Sequence, residues 1–150
     1  MIFSDWTYLI TPFIAWLITG ITKFLVNCFR EKRMAFHLIG YGGMPSNHSA
    51  IVSSTACLIA LKEGINHPAF AVAITLSFIV LLDATSLRMK IAEQAKTINQ
   101  LMSHSQLDTQ KPLRERIGHT KLEILAGILL GCAIAVCIHY ISGAFASHLM

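Results

Sequence analysis

Long apolar runs alternate with short polar stretches along the chain. A helix rises about 1.5 Å per residue and the hydrocarbon core of a bilayer is about 30 Å thick, so about twenty apolar residues can cross it. Residues 6–29, 69–87 and 122–141 meet this length. Residues 50–61 form a shorter run, expected to be tilted or partly re-entrant. The pattern predicts one all-α domain over residues 1–150, a polytopic membrane helical bundle with about four membrane segments.

A different periodicity follows the third apolar run. Between residues 88 and 102, apolar side chains recur at helical spacing among charged ones. This pattern predicts an amphipathic, interfacial helix that either leaves the membrane or lies along it. Pro112 can open a further short helix carrying Arg114, Glu115 and Arg116. Gly127 and Gly131 form a GxxxG motif in the last run, which predicts close helix packing within the chain or between subunits.

Composition identifies the solvent of these helices. Apolar residues make up 54% of the chain and charged residues only 13%, against roughly 25% charged residues in soluble domains. A chain so poor in charge is better suited to lipid than to water. The net charge of +4 does not predict nucleic-acid binding, because the basic residues punctuate apolar runs and no aromatic-basic face is present. Anionic membrane lipids or a phosphate group are the expected partners.

The basic residues also predict an orientation. Four of the twelve lysines and arginines lie in residues 23–33 and seven in residues 88–121, and four crossings place these eleven on one side. Only Lys62 lies opposite. The positive-inside rule makes the basic side cytoplasmic and both termini external. We therefore expect an integral protein of a bacterial inner (plasma) membrane.

Polar residues in or beside the apolar segments gather at this basic face. Placing a polar side chain in a membrane costs free energy, so such residues are candidates for a functional site. Lys23 and Arg30 are seven residues apart and share one helix face. Ser46, Asn47 and His48 follow a Gly-rich loop at a helix start, where free N–H groups suit an anion. Two further residues, Asp83 and Arg88, lie near the same face, but their five-residue spacing leaves a direct ion pair open.

Two histidines give this face a candidate chemistry. His119 and Glu123 are four residues apart, so the carboxylate can hold one ring nitrogen if the last helix begins by His119. The other nitrogen is then free to attack phosphorus. His48 can donate a proton to the leaving oxygen, and the nearby cations can hold the phosphoryl oxygens. This scheme, phosphoryl transfer through a phosphohistidine, requires no metal and no cofactor.

These residues occur in an arrangement that resembles a known family. The segments that carry the resemblance are Gly42-Gly43-Met44-Pro45-Ser46-Asn47-His48-Ser49-Ala50, residues 83–88, residues 94–99 and residues 116–127. Together they look like the divergent branch of the type 2 phosphatidic acid phosphatases, a branch related to acid phosphatases and vanadium haloperoxidases. The resemblance extends from residue 23 to about residue 131.

The wider superfamily has three motifs, and this chain departs from each. In the first, Lys23 and Arg30 match but Glu31 replaces a proline. In the second, Pro45, Ser46 and His48 match and Asn47 replaces a glycine. In the third, His119 matches, Glu123 replaces an aspartate, and Leu113 stands where an arginine is expected. Three residues are candidates for that arginine: Arg88, Arg114 and Arg116.

The resemblance implies a membrane lipid phosphatase with His119 as nucleophile, His48 as general acid and Glu123 as orienting carboxylate. Phosphatidylglycerophosphate, phosphatidic acid and polyprenyl diphosphate all fit as substrates. Other residues are expected to bind the phosphate or to support the groups that do: Lys23, Arg30, Ser46, Asn47, Asp83, Arg88, Arg114 and Arg116. The small size and the GxxxG motif favour a homodimer. The alternative is a non-enzymatic lipid or anion binder or a transporter subunit; a histidine-based metal permease ranks lower, since no two histidines share a helix face at ligand spacing.

Overall fold

The computed structural model describes residues 6–32, 34, 43–104, 111–115 and 118–148, without the side chains of residues 145–148. These residues form helices and connecting segments, and none of them lies in a strand. The helices are α1 (Trp6–Glu31), α2 (Asn47–Glu63), α3 (Pro68–Leu82), α4 (Arg88–His104) and α5 (Lys121–His148). The predicted all-α architecture is confirmed.

Within the described residues, three helices are long and apolar enough to cross a membrane. They are Trp6–Glu31, Pro68–His104 and Lys121–Ala144. The helix α2 has 17 residues, so it rises only about 25 Å and is shorter than the hydrocarbon core. It corresponds to the short segment predicted from the sequence, and it begins earlier than predicted because Ser46 caps it through the N–H of Ser49.

The helix α2 lies at the centre of the bundle and packs against α1, α3 and, most extensively, α5. Its contacts bury mainly small and hydroxyl-bearing side chains, although Leu58 of α2 is also fully buried. The residues with no exposed side chain include Thr11, Ala15, Thr19, Ala50 and Ser54. Large apolar residues such as Phe78 and Leu129 are instead more than 60% exposed on the outside. This inverted distribution suits a bundle surrounded by lipid.

The two glycines of the GxxxG motif face α2 within the same chain. A Cβ atom at Gly127 would lie 2.5 Å from the carbonyl oxygen of Ser46, and one at Gly131 would lie 2.9 Å from the Cα of Ala50. Both distances are too short for real Cβ contacts, so only glycine permits this approach. The motif is therefore used for packing inside the chain, and it gives no support to a subunit interface.

The helices α3 and α4 form one continuous 37-residue helix, Pro68–His104. They are joined by a π-helical turn, Asp83–Leu87, in which the N–H of Arg88 donates to the carbonyl of Asp83. Such a helix is about 55 Å long, far longer than the hydrocarbon core. Of the two predicted courses for the amphipathic helix, its continuity with α3 favours the one that leaves the membrane.

The short helix predicted at Pro112 is wrong for the residues that the structure describes there, 111–115, which are not helical. The side chain of Asn99 explains the difference. Its amide bonds both the N–H and the carbonyl of Leu113, at 2.8 Å each, and a helix opened by Pro112 would use that carbonyl for its own hydrogen bond. The segment is thus held along α4 in a non-helical form.

Candidate functional site

Close packing of α2 and α5 brings two parts of the predicted site together. Both helices start at the basic end of the bundle, and the N–H of Ser46 donates to the carbonyl of Glu123 at 2.9 Å. Their N-terminal ends therefore lie side by side, with His48 in the first turn of α2 and His119 just before α5. Two helix N-termini at one point favour negative charge there, because the exposed N–H groups and the helix dipoles are both positive.

His119 is held by the cap of α5 rather than by a helical stripe. Thr120 and Glu123 form a capping box: the N–H of Thr120 donates to Glu123 Oε2 at 2.9 Å, and the N–H of Glu123 donates to Thr120 Oγ1 at 3.3 Å. The same carboxylate oxygen lies 3.3 Å from His119 Nδ1. A carboxylate cannot donate, so Nδ1 bears the proton and Nε2 is the free nitrogen. The predicted contact forms although the helix begins only at Lys121.

The backbone around His119 is fitted against the turn between α3 and α4. Its N–H makes a long hydrogen bond, 3.5 Å, to the carbonyl of Ala84 inside the π-helical turn. A π-helical turn bonds residues five apart and so leaves a carbonyl available that an α-helix would use. Next to it, a Cβ atom at Gly118 would lie 2.9 Å from Met89 Cγ, so a larger residue there would displace the Met89 side chain.

The π-helical turn also settles whether Asp83 and Arg88 pair. Residues five apart point about 140° away from each other on an α-helix, but the wider turn brings them into line. Arg88 Nε lies 2.9 Å from Asp83 Oδ2, and Arg88 Nη2 lies 3.4 Å from His48 Nε2. The carboxylate therefore holds the guanidinium against the imidazole. The pair left open by the spacing is a direct one.

The two imidazoles face each other across a short gap. Their ring centroids are 6.3 Å apart and the planes are inclined by 56°. His48 lies in the first turn of α2 and His119 precedes α5, so neither belongs to the three helices that are long and apolar enough to cross a membrane. Burial lowers the pKa of His119 below its ordinary value of 6.5, and the charge of Lys23 lowers it further against the opposing effect of Glu123. Burial also lowers the pKa of His48, followed by the charge of Arg88.

Lys23 belongs to the same site. It is half-buried on α1, and its charge acts on both imidazoles and on Glu123. Two cations, Lys23 and Arg88, thus surround the histidine pair from two different helices. A site with two positive side chains, two helix N-termini and a buried carboxylate behind one imidazole is suited to an anion that is attacked by that imidazole.

Other predicted site residues occupy different positions. Ser46 is fully buried, and its Oγ accepts from the N–H and the hydroxyl of Ser49, so it stabilises the first turn of α2. Asn47 is half-buried and its Oδ1 has no hydrogen-bond partner among the residues described. Arg30 is exposed near the end of α1 and makes no ion pair within the described part of the chain. Arg114 is exposed, and Arg116 lies outside the described residues. Of the three candidate arginines, the structure brings Arg88 to the histidines.

A cavity of about 390 Å³ reaches the site from α4. Its wall includes His119 and Glu123 from the site, and Glu93 and Lys96 from α4. Charged side chains in the wall place the opening on the aqueous side, so the cavity can supply water to His119. Among the described residues no group of three or more His, Cys, Asp and Glu side chains is arranged to hold a metal ion.

Sequence reasoning missed three contributors to this arrangement. They are the carbonyl of Ala84, the amide of Asn99 and the cap formed by Thr120. The spacing Thr120-x-x-Glu123 is a capping-box signature and could have identified the cap. A π-helical turn has no comparable sequence signal, so the role of Ala84 could not have been found.

The fold and the site describe an integral membrane protein of the PAP2-like type. The family model described as "Divergent PAP2 family" matches residues 5–134, and the chain belongs to that family. It is also similar to the uncharacterized membrane protein YuiD of Bacillus subtilis (strain 168), with 28% identity over 147 residues that cover 88% of this chain and 93% of YuiD. No solved structure matches the chain. The family predicted from the motifs is confirmed.

Proposed function

We propose that this protein is a membrane lipid phosphatase that hydrolyses a phosphate or diphosphate monoester through a phosphohistidine. The observation that carries the proposal is the pair of imidazoles 6.3 Å apart, one backed by Glu123 and the other in contact with Arg88. A phosphoryl group bound between these rings would have a nucleophile on one side and a proton donor on the other. Phosphatidylglycerophosphate, phosphatidic acid and polyprenyl diphosphate are the substrates we propose to test.

In the first step His119 Nε2 attacks phosphorus and the bond from phosphorus to the leaving oxygen breaks. The leaving oxygen takes a proton from His48, which becomes neutral. Glu123 stabilises the positive charge that His119 acquires, because its carboxylate lies 3.3 Å from Nδ1. In the second step water attacks phosphorus, His48 takes a proton from that water, and the bond to nitrogen breaks, which releases inorganic phosphate. No metal ion takes part.

The cations hold the phosphoryl oxygens and their developing charge. Arg88 has no lone pair, so His48 Nε2 accepts from it and the imidazole is neutral in the substrate-free site. A dianionic phosphate between the rings attracts the guanidinium and favours protonation of His48. Substrate binding would therefore supply the general acid that the first step needs. We propose that Asp83 keeps Arg88 aimed at this position through their 2.9 Å ion pair.

The membrane side and the assembly are also proposals. With four predicted crossings, eleven of the twelve lysines and arginines fall on the membrane side that holds the site, which supports a cytoplasmic active site in a bacterial inner membrane. The homodimer rests only on the small size of the chain, since Gly127 and Gly131 pack against α2. A monodisperse monomer in mild detergent with full activity would contradict the dimer.

Phosphate release from lipid phosphates tests the function directly. We expect the purified protein to release phosphate from at least one of the three lipids without added metal, and vanadate to inhibit the release. His119→Ala should lower the rate at least about a thousandfold, as expected when a nucleophile is removed. His139→Ala is the matched control, because His139 lies on α5 away from the site and should keep full activity.

The same variants separate the alternatives. Radioactive phosphate that is bound to the wild-type protein, stable in alkali, labile in acid and absent from His119→Ala would identify the phosphohistidine. Release that survives His119→Ala would overturn the mechanism. Lipid phosphate binding without any release, at concentrations where the protein is saturated, would instead identify a non-enzymatic anion binder.

A further inference from the structure

We infer that Asn99 is a positioning residue for His119: its side-chain amide fixes the segment that carries this histidine along α4. The hydrogen bonds of Asn99 are present whether or not the protein is an enzyme. The effect of Asn99 on catalysis rests on the proposed function, in which His119 is the nucleophile. Asn99 lies on α4, eleven residues beyond Arg88, so it belongs to the same continuous helix as the Asp83–Arg88 pair.

The amide of Asn99 makes three hydrogen bonds with one short segment. Nδ2 donates to the carbonyl of Leu113 at 2.8 Å and to Glu115 Oε1 at 2.9 Å, while Oδ1 accepts from the N–H of Leu113 at 2.8 Å. The side chain thus bonds both backbone groups of one residue. Only a group that donates and accepts in one plane can do this, so the position favours a primary amide over a carboxylate or an apolar side chain.

A second attachment lies close to the histidine. The N–H of His119 bonds the carbonyl of Ala84, and Gly118 is in close contact with Met89. The described residues on the two sides of positions 116–117 are therefore both attached to the continuous helix: Leu113 and Glu115 through Asn99, and His119 through the π-helical turn. The helix that carries Arg88 also sets the location of the histidine. The distance between the nucleophile and the cation follows from this shared support.

Loss of the Asn99 contacts would weaken the link between this segment and the helix that carries Arg88, whereas the cap of α5 would still hold His119 to Glu123. The bond between His119 and Ala84, which also joins the histidine to that helix, is long, at 3.5 Å, and therefore weak. We expect Asn99→Ala to lower kcat by about ten- to a hundredfold, in line with small misplacements of a reacting group. KM should change by less than about twofold, because the phosphate is held by Lys23 and Arg88. A displaced His119 would also leave its buried position.

Two readouts distinguish positioning from a general loss of stability. In the wild-type protein, NMR titration should show His119 protonating below its ordinary pKa of 6.5, because it is buried. In Asn99→Ala the titration should move upward toward 6.5. Hydrogen exchange of the Leu113 amide should become faster in the same variant. Gln100→Ala, an exposed neighbour on α4, is the matched control and should change neither quantity.

A second pair of variants keeps the test informative if Asn99→Ala folds poorly. Asn99→Asp can still accept from the N–H of Leu113, but it faces the carbonyl of Leu113 and the carboxylate of Glu115 with a negative charge. Combining it with Glu115→Gln exchanges donor and acceptor, since the new amide at position 115 can donate to the new carboxylate. The carbonyl of Leu113 still faces a carboxylate in the double variant, so we expect kcat to recover only in part, to a value above that of Asn99→Asp alone.

The outcomes separate this inference from the proposed function. If the wild-type protein releases no phosphate, the proposed function fails, and the exchange of Leu113 and the titration of His119 still test the attachment. If the wild-type protein is active and Asn99→Ala leaves kcat, Leu113 exchange and the His119 titration unchanged, the inference is overturned. Recovery in the double variant supports it, whereas equal loss in Asn99→Asp and the double variant counts against it.

Discussion

At the residue scale, the two histidines differ in the charge of the side chain that each one contacts. His119 Nδ1 faces the carboxylate of Glu123, which favours a proton on that nitrogen. His48 Nε2 faces the guanidinium of Arg88, which opposes protonation. The site therefore holds one imidazole ready to attack and a second that must gain a proton when the phosphate arrives. Such a pair links the rate to pH through two groups with opposite requirements.

This difference predicts a bell-shaped pH dependence of kcat/KM. The attacking His119 must be neutral, so activity is lost as pH falls through its pKa; the donor His48 must be protonated, so activity is lost as pH rises through its pKa. Burial lowers the pKa of both below 6.5, which places the maximum on the acidic side of 6.5. Because phosphate monoesters also titrate near pH 6, NMR titration of both imidazoles should accompany the profile.

The carboxylate of Asp83 opposes the lowering of the His48 pKa. Asp83→Asn should therefore shift the alkaline limb of the profile to still lower pH. Lys90→Gln is the control, since it removes an exposed ion pair of the same length, 2.9 Å, one turn further along the helix. A His48 that titrates above 6.5, or an unchanged limb in Asp83→Asn, would contradict the assignment of the general acid.

Several residues of the site could be predicted from the sequence and others could not. The contact between His119 and Glu123 could be predicted from their four-residue spacing, because side chains four residues apart at a helix start lie close together. The pairing of Asp83 with Arg88 could not be predicted, because it depends on a π-helical turn that reverses the expectation from α-helical spacing. Because the π-helical turn was not predicted, the sequence could not single out Arg88 from the three candidate arginines.

At the scale of elements, the site depends on how closely α2 and α5 approach. The two helix starts bring His48 and His119 together, and two glycines on α5 allow the backbones to touch. The sequence identified the glycines but not the helix that they face, because a GxxxG motif marks a close approach without naming its partner. The structure makes α2 the partner.

This approach predicts opposite effects for two glycine substitutions on α5. In Gly127→Ala, the new Cβ would lie 2.5 Å from the Ser46 carbonyl oxygen and 2.9 Å from Ser49 Cβ, so the helices must separate. We expect a loss of about 1–3 kcal/mol in stability and a fall in kcat. In Gly143→Ala the new Cβ has nothing within 4 Å. Alanine loses less backbone entropy on folding than glycine, so this variant should be more stable than the wild-type protein by about 0.5–1 kcal/mol. Thermal unfolding in detergent compares them, and equal midpoints would contradict the packing.

At the scale of the whole molecule, the apolar surface and the polar interior could be predicted from hydropathy. The exposed apolar residues of α1, α3 and α5 occupy the runs that the sequence marks as membrane segments. The central place of α2 could not be predicted, because its composition is mixed and its length is short for a crossing. Its role follows from packing: it is the helix that α1, α3 and α5 all contact.

The course of the 37-residue helix predicts from which side of the membrane each end of the helix can be labelled. About 20 residues are enough to cross the hydrocarbon core, so most of α4 should lie outside it on the side of the site. In a variant without the four native cysteines, Ser103→Cys should react with a membrane-impermeant maleimide only from the cytoplasmic side of sealed vesicles. Asn66→Cys, in the exposed turn between α2 and α3, should react only from the other side. Labelling of both from one side would contradict the bundle topology, and labelling with the sides exchanged would place the site on the external face while leaving the topology intact.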